Sequence, residues 1–459
     1  MPSDSNRSDY DYELVIIGGG SGGLSAAKRA AQLGKRVAIA EKNHLGGTCV
    51  NRGCIPTKLM IYAAEFAQQR RVAQAYGWSV DESISFDWAQ FQQSMNSHIA
   101  QLREAKAKSL EGIDLLRGQA SFVDAHTIAI EGREITAEFV LVAVGSRPQR
   151  PSNIEGIEHA LDSRDVLNLA ALPESVVIIG GGYIGVELAQ VLRYYGCEVT
   201  VVDSQPCILD GFDTDLQRRA KQVLEADGIT VIGGARLEKI EKGERGVTAI
   251  LQAGKAVRAD QVIIALGRAA NIDTLNLDAL GVTTQNGKIV VDKHKRTQEE
   301  NVFAIGDCID TMMLTPVAIA EGKAAVDAMF SDLAIDDTAG EIDYRWVPSA
   351  VFLHPEIATV GPTEQEATDQ GECFEVVSHV FTPLREALVA EPLEAMIKLL
   401  VRPQRGPQKG EILAVHMIAP RAADLVQMLV PALKKGLTVD ELSAMIPIHP
   451  STGEELFSL

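Results

Sequence analysis

The chain has 459 residues, 46% of them hydrophobic and 23% charged, with a formal net charge of −19, so it exceeds one hydrophobic core and predicts three or four domains of ~100–200 residues each. Such acidity argues against nucleic acid or an anionic membrane as the main partner, while leaving room for a local basic pocket. No run of ~20 apolar residues is present to span a bilayer, and the polar start Met1–Tyr10 has no apolar signal-peptide core; a soluble cytoplasmic protein is expected, in which a persistent disulfide is unusual.

Residues 13–23 read as an apolar strand running into Gly18-Gly-Gly20-Ser21-Gly-Gly23, followed by an Ala-rich helix over Leu24–Leu33 and a second strand, Val37–Ala40, that ends in Glu41. The acid stands 41 − 23 = 18 residues past the third glycine, close to the ~20 expected where a carboxylate accepts the ribose hydroxyls of a dinucleotide. Next, Gly46-Gly47-Thr48-Cys49-Val50-Asn51-Arg52-Gly53-Cys54 holds two thiols five residues apart. On a straight helix that spacing is roughly 7.5 Å of rise, beyond the ~6.8 Å between Cα atoms that a disulfide usually tolerates, so a bridge needs an opened turn. Gly53 can supply it. Pro56 suits the first turn of a following helix, which puts Cys54 near a helix N-terminus, where the dipole lowers a thiol's pKa. Two ordinary core cysteines are the alternative. A metal site is not expected, because Cys197, Cys207, Cys308 and Cys373 are scattered singly.

Residues 60–118 look mainly helical, Ala120–Ile135 reads as short strands, and Phe139–Val144 is a buried strand ending at Gly145, with a domain boundary near residue 150. A second signature follows: the strand from Val176 enters Gly180-Gly-Gly182-Tyr183-Ile184-Gly185, and the strand Glu198–Val202 ends in Asp203, again 203 − 185 = 18 residues on. Two such signatures mean two dinucleotides, most simply a bound flavin and a visiting nicotinamide. Val262–Gly267 closes this second region, Asn301–Asp307 opens the next, and Leu314–Gly322 begins a helix. Asp307 after Gly306 also reads as a helix N-cap. From Val347 onward the pattern is mixed strands and helices, with His449-Pro-Ser-Thr-Gly-Glu454 near the end.

The segment Gly-Gly-Thr-Cys-(x)4-Cys-(x)-Pro-(x)-Lys, both glycine signatures, Gly306-Asp307 and the His449-Pro motif, in this order, resemble the class I pyridine nucleotide-disulfide oxidoreductases, the family of glutathione reductase, dihydrolipoamide dehydrogenase and mercuric reductase. The resemblance implies an α/β fold of two Rossmann-like dinucleotide-binding domains plus a C-terminal α+β dimerisation domain. Its segments would be residues 1–150 and 286–345 for FAD, 151–285 for the nicotinamide, and 346–459 for the interface. FAD would meet Gly18, Gly20, Ser21, Gly23, Glu41, Gly47, Thr48, Gly145 and Asp307. The nicotinamide would meet Gly180, Gly182, Tyr183, Ile184, Gly185, Asp203 and Gly267. Hydride would pass from NAD(P)H to flavin and on to Cys54; Cys49 would attack the substrate disulfide; His449, oriented by Glu454 and supplied by the partner of an obligate homodimer, would move the proton. Lys58 and Glu187 match the family's pair near the flavin, and the His449–Pro450 peptide would be cis. Ser204 and Asp210 stand where NADPH-dependent relatives have arginines, so NAD(H) is expected over NADP(H). Lys28 and Lys323 stand where glutathione's carboxylates are bound. A small disulfide of glutathione type is the expected substrate, with dihydrolipoamide as the alternative; mercuric reductase lacks support because no C-terminal cysteine pair is present. A non-catalytic redox sensor or a quinone-reducing flavoenzyme are further alternatives.

Overall fold

The structure is a computed structural model that describes residues 10–80, 85–330, 342–403 and 408–459. The polar start read above for a missing signal core therefore falls, over residues 1–9, outside the described residues. Contacts group the chain into two units, one of Met1–Pro56, Phe91–Gln149 and Arg268–Ile342, the other of Thr57–Gln90, Arg150–Gly267 and Asp343–Leu459.

The first unit is organised on a seven-stranded sheet. Tyr12–Ile17 lies between Val37–Glu41 and the long strand Arg133–Val142, parallel to both. Leu14, Val15 and Ile16 are fully buried, as befits a parallel strand covered on both faces. Arg133–Val142 serves two pairings: its second half runs parallel to Tyr12–Ile17 and its first half antiparallel to Thr127–Ile130. Val302–Ala304 pairs on its other edge, which brings the following Gly306–Cys308 turn to the end of the sheet. The helices Ser21–Gln32 and Thr315–Phe330 pack on each other, and the Ser25 hydroxyl donates to Ile319 O across them.

Residues 60–118 are mainly helical, as expected, in Cys54–Ala75 and Trp88–Lys108, but they end in Ile113–Arg117, a strand parallel to Val37–Glu41, with Leu115 opposite Ile39. Gly112 and Gly118 bracket it at φ +74° and +139°, backbone conformations that glycine adopts freely. Pairing with a buried neighbour overrides the helical composition of what precedes.

The second unit repeats the strand-turn-helix theme. Thr230–Ile232, Glu198–Val202, Ser175–Ile179, Gln261–Ile264 and Leu161–Asp162 form a parallel sheet in that order. An antiparallel sheet runs Ser349–Val351, Glu356–Val360, Ile412–Ala419, Ala395–Val401, Glu375–Phe381. Its two central strands are wholly buried. Lys398 sits in one of them at 1% exposure, with Nζ at 2.9 Å from Asp213, 2.8 Å from Asp215 and 2.6 Å from Glu364. Asp213 also accepts from the Asp215 amide as N-cap of the Thr214–Ala226 helix, so the buried ammonium ties that helix to the sheet. Truncating Lys398 would strand three carboxylates together.

Asp162 makes the clearest pH-dependent contribution. Burial raises its pKa, but hydrogen bonds from Arg164, with the charge of Arg150, outweigh burial and bring it down to about 2 from 3.8. A depressed carboxyl adds stability above its unfolded pKa and loses it as pH falls through the folded value. This one is worth roughly 2 kcal/mol near neutrality, gone by about pH 2. Arg164→Ala is expected to move the acid-unfolding midpoint to higher pH, read by circular dichroism; an unmoved midpoint would contradict it.

Candidate active site

The chain around Cys49 is two helices rather than one. Gly47–Arg52 stops at Gly53, whose φ −146° and ψ −117° break the spiral, and a new helix starts at Cys54. Both cysteines are free thiols and lie within hydrogen-bonding reach of each other. The bond from Cys54 lowers the pKa of Cys49 to about 6 despite burial, with help from the Thr315 and Ser21 hydroxyls and the Lys106 charge. The same bond, together with burial, pushes Cys54 up. The helix does begin at Cys54, as its sequence predicts, and in this arrangement Cys54 donates to Cys49. Thr315 Oγ1 lies 3.5 Å from Cys54 Sγ.

The two glycine turns are built alike. Gly18 and Gly180 both have φ +112°, and a Cβ on Gly23 or Gly185 would lie 2.0 or 1.9 Å from the carbonyl oxygen of the first glycine. Only glycine lets the helix start so close to its strand. Glu41 accepts from Gly19 N at 2.8 Å with one oxygen and from Asn43 N at 2.7 Å with the other. Asp203 does the same with Gly181 N at 2.5 Å and Gln205 N at 2.7 Å. Both acids are fixed by the amides of their own turns. The helices Ser21–Gln32 and Tyr183–Tyr194 have no side-chain N-cap bond and no acid in the first turn, so each N-terminus presents the positive end of its helix dipole to an anion. Gly47 approaches Gly20 so closely that a Cβ on it would lie 2.8 Å from the Gly20 Cα. These helix N-termini, close glycine cradles and anchored acids fit two dinucleotides.

Asp307 accepts from Ser146 Oγ at 2.5 Å, and Arg268 Nε in turn donates to that hydroxyl at 2.7 Å while lying 3.7 Å from the carboxylate. The N-cap of the Gly306–Cys308 turn is Ile305, so Asp307 does not cap it. Gly145 precedes this relay at φ +63°, and Gly267 leads into Arg268 at φ +96°.

In the second unit, Lys58 Nζ lies 3.2 Å from Glu356 Oε1 and 3.8 Å from the centroid of the Phe352 ring. Glu187 accepts from Phe352 N at 2.8 Å, so Lys58 and Glu187 both meet the same residue. His449 Nδ1 lies 2.7 Å from Glu454 Oε2, next to a cis bond to Pro450. The amide of Ser451, then His449, holds the Glu454 carboxyl below the usual range. Lys28 is half-buried and Lys323 exposed on the packed helix pair, and among the described residues neither has an ion-pair partner.

Residues 12–322 match the family model described as pyridine nucleotide-disulphide oxidoreductase, and residues 347–458 match that family's dimerisation domain. The chain belongs to the pyridine nucleotide-disulphide oxidoreductase family. It is 35% identical to a glutathione reductase of Nostoc sp., over 98% of this chain and 99% of that one. It is equally 35% identical to a dihydrolipoyl dehydrogenase of Geobacillus stearothermophilus, over 97% and 94%, and to a glutathione reductase of Schizosaccharomyces pombe, over 98% of both. As a member of this family the chain is an NAD(P)H-dependent flavoprotein disulfide oxidoreductase that binds FAD and NAD(P)H, and its dimerisation domain supports a homodimer. Among the described residues no helix is long and apolar enough to cross a membrane.

Several residues of this oxidoreductase escaped the sequence reading. Thr315, Ser146, Arg268 and Glu356 act through contacts that span more than 100 positions each. Glu321, fully buried, accepts from Gly306 N at 2.7 Å and Thr311 Oγ1 at 2.7 Å. Beside the His449–Glu454 pair, Glu455 holds a second imidazole, His379, at 3.0 Å. Each of Ser146, Arg268, Thr315, Glu321 and Glu356 lies in or directly beside a segment with a sequence signal, but none of its partners could be read from spacing.

Proposed function

We propose that the enzyme reduces a small disulfide with NADH, using the Cys49–Cys54 pair, and that oxidised glutathione or a related anionic disulfide is the substrate. The observation that carries this is the pair itself: one thiol donates to the other, so a nucleophilic sulfur and its resolving partner stand ready together. FAD, held by Glu41, Asp307 and the first glycine turn, supplies when bound a two-electron acceptor for the nicotinamide's hydride. Cys49 attacks one sulfur of the substrate, and Cys54 then displaces it to close the Cys49–Cys54 disulfide. His449, oriented by Glu454, holds the proton and returns it to the departing thiolate; it comes from the partner subunit of an obligate homodimer. Lys58 and Glu187 serve the flavin side, and Lys28 and Lys323 meet substrate carboxylates. Residues 1–150 with 286–345, 151–285 and 346–459 divide these tasks as FAD, nicotinamide and interface regions of a cytoplasmic enzyme.

NADH preference rests on Asp203. Its carboxylate is anchored by two backbone amides at the position where a 2′-phosphate would bring more negative charge, and exposed Ser204 and Asp210 offer no cation to offset it. kcat/KM with NADH is expected to exceed that with NADPH by ~10-fold or more, the effect of about 1.4 kcal/mol. A preference for NADPH would overturn this assignment. A steady-state panel of oxidised glutathione, lipoamide and other small disulfides tests the substrate; efficient turnover of lipoamide with negligible turnover of glutathione would make dihydrolipoamide the substrate, which the acidic nucleotide site also suits.

A further inference from the structure

The Trp88–Lys108 helix carries two cations on the side facing the redox loop. Arg103 Nε donates to Asn51 Oδ1 at 2.5 Å, and Asn51, between the two cysteines, donates to the carbonyls of Leu45 and Gly47 at 3.1 and 2.8 Å. The terminal guanidinium nitrogens of Arg103 have no acceptor among the described residues. Lys106 is one turn further on the same face, half-buried like Arg103 and without an ion-pair partner among the described residues. Outward on the same helix, Glu104 and Lys108 neutralise each other at 2.7 Å. Arg52 and Arg117 add to the same field. Burial, then the charges of Arg103, Arg117 and Arg52, push His44 down against the opposing pull of Glu41, and Lys106 acts on Cys49 itself. A chain of net charge −19 thus surrounds its redox loop with positive charge, an arrangement that concentrates anions at a site.

We propose that Arg103 and Lys106 form an anion-selecting subsite beside Cys49, which favours disulfides that carry carboxylates over neutral ones. This rests on Cys49 being the sulfur that attacks. Arg103, beyond bracing Asn51, offers the free edge of its guanidinium to a carboxylate, and Lys106 offers a mobile point charge. Neither residue exchanges a proton or a sulfur bond with the substrate, although the Lys106 charge adds to the lowering of the Cys49 pKa.

The test uses the holoenzyme, reduced with dithionite and desalted anaerobically, and two disulfide reagents, the dianionic dithiobis(nitrobenzoate) and the neutral dithiodipyridine. In either case the Cys49 thiolate attacks a reagent sulfur, the reagent's S–S bond breaks, and its electron pair leaves on one aryl thiolate whose absorbance is read. Cys54 then loses its proton to solvent, displaces the second aryl thiolate and closes the disulfide. Because both reagents sample the same thiolate, the ratio of their rate constants cancels any change in the pKa of Cys49. That ratio is expected to fall ~10-fold or more in Arg103→Gln/Lys106→Gln and ~3-fold in Lys106→Gln, and raising salt from ~50 to ~500 mM is expected to lower it in the wild type but not in the double variant. Lys106→Gln removes no hydrogen bond, so it keeps the test valid if losing the Asn51 brace disturbs the loop. A ratio unchanged in both variants, or equal losses with both reagents, would overturn the subsite. If mass spectrometry finds that neither reagent leaves a mixed disulfide on Cys49 in Cys54→Ala, where no resolving sulfur can displace it, the assignment of Cys49 as attacking sulfur fails, and the subsite with it.

Discussion

In the reduced enzyme, Cys54→Ala is expected to move the pH midpoint of Cys49 alkylation from about 6 toward the ordinary thiol value of 9.0 and to stop disulfide turnover. The first effect follows from losing the proton donor that leads the causes of the Cys49 shift. At pH 7 the thiolate fraction would drop from roughly nine-tenths to about one-hundredth, yet the stronger intrinsic nucleophilicity of a more basic thiolate returns a factor of ~20 of that, so the midpoint and not the rate at one pH is the measurement to make. The second effect is larger. Without Cys54 no sulfur is left to displace the substrate from Cys49, and turnover should fall by ~10³-fold or more, as when one member of a nucleophilic unit is removed. Alkylation followed by peptide mapping distinguishes the sulfurs: a midpoint near 6 that maps to Cys54 in the wild type, or one that stays near 6 in Cys54→Ala, would show that the shared proton is not what acidifies Cys49.

Loss of the imidazole in His449→Ala is expected to reduce kcat for disulfide turnover by ~10²–10⁴-fold, the range for removing a general acid or base. The 2.7 Å contact at Nδ1 fixes the ring and leaves Nε2 to carry the proton. Glu454→Gln should cost less, because the amide oxygen can still accept from the ring but brings no charge to an imidazolium. The Glu454 carboxyl is held below its usual range by the Ser451 amide and His449, so its charge is present at neutral pH and is lost only as pH falls through that depressed value. Turnover within a factor of ~3 of wild type would remove His449 from the reaction.

Much of the site was open to reading because its signals are local. A glycine at φ +112°, a third glycine that must lie against the first, and an acid at the end of the next strand are set by neighbours in sequence. Both turns and both anchoring carboxylates could therefore be named from spacing alone. The break between the cysteines is equally local, since Gly53 is the one residue there that frees the backbone. The strand Ile113–Arg117 is different: its own five residues carry little preference, and the buried edge of Val37–Glu41 decides its conformation. Side-chain electrostatics lay further still beyond the sequence. Whether Cys49 or Cys54 keeps the proton depends on their mutual orientation and on Thr315, 261 positions away. The partner of Lys58 is Glu356, 298 positions on, and the buried ammonium of Lys398 gathers carboxylates from two other elements. Sequence determined where the backbone can turn, because that depends on each residue's own sterics; only the tertiary structure decided which charges and protons meet, because those energies depend on distance in space.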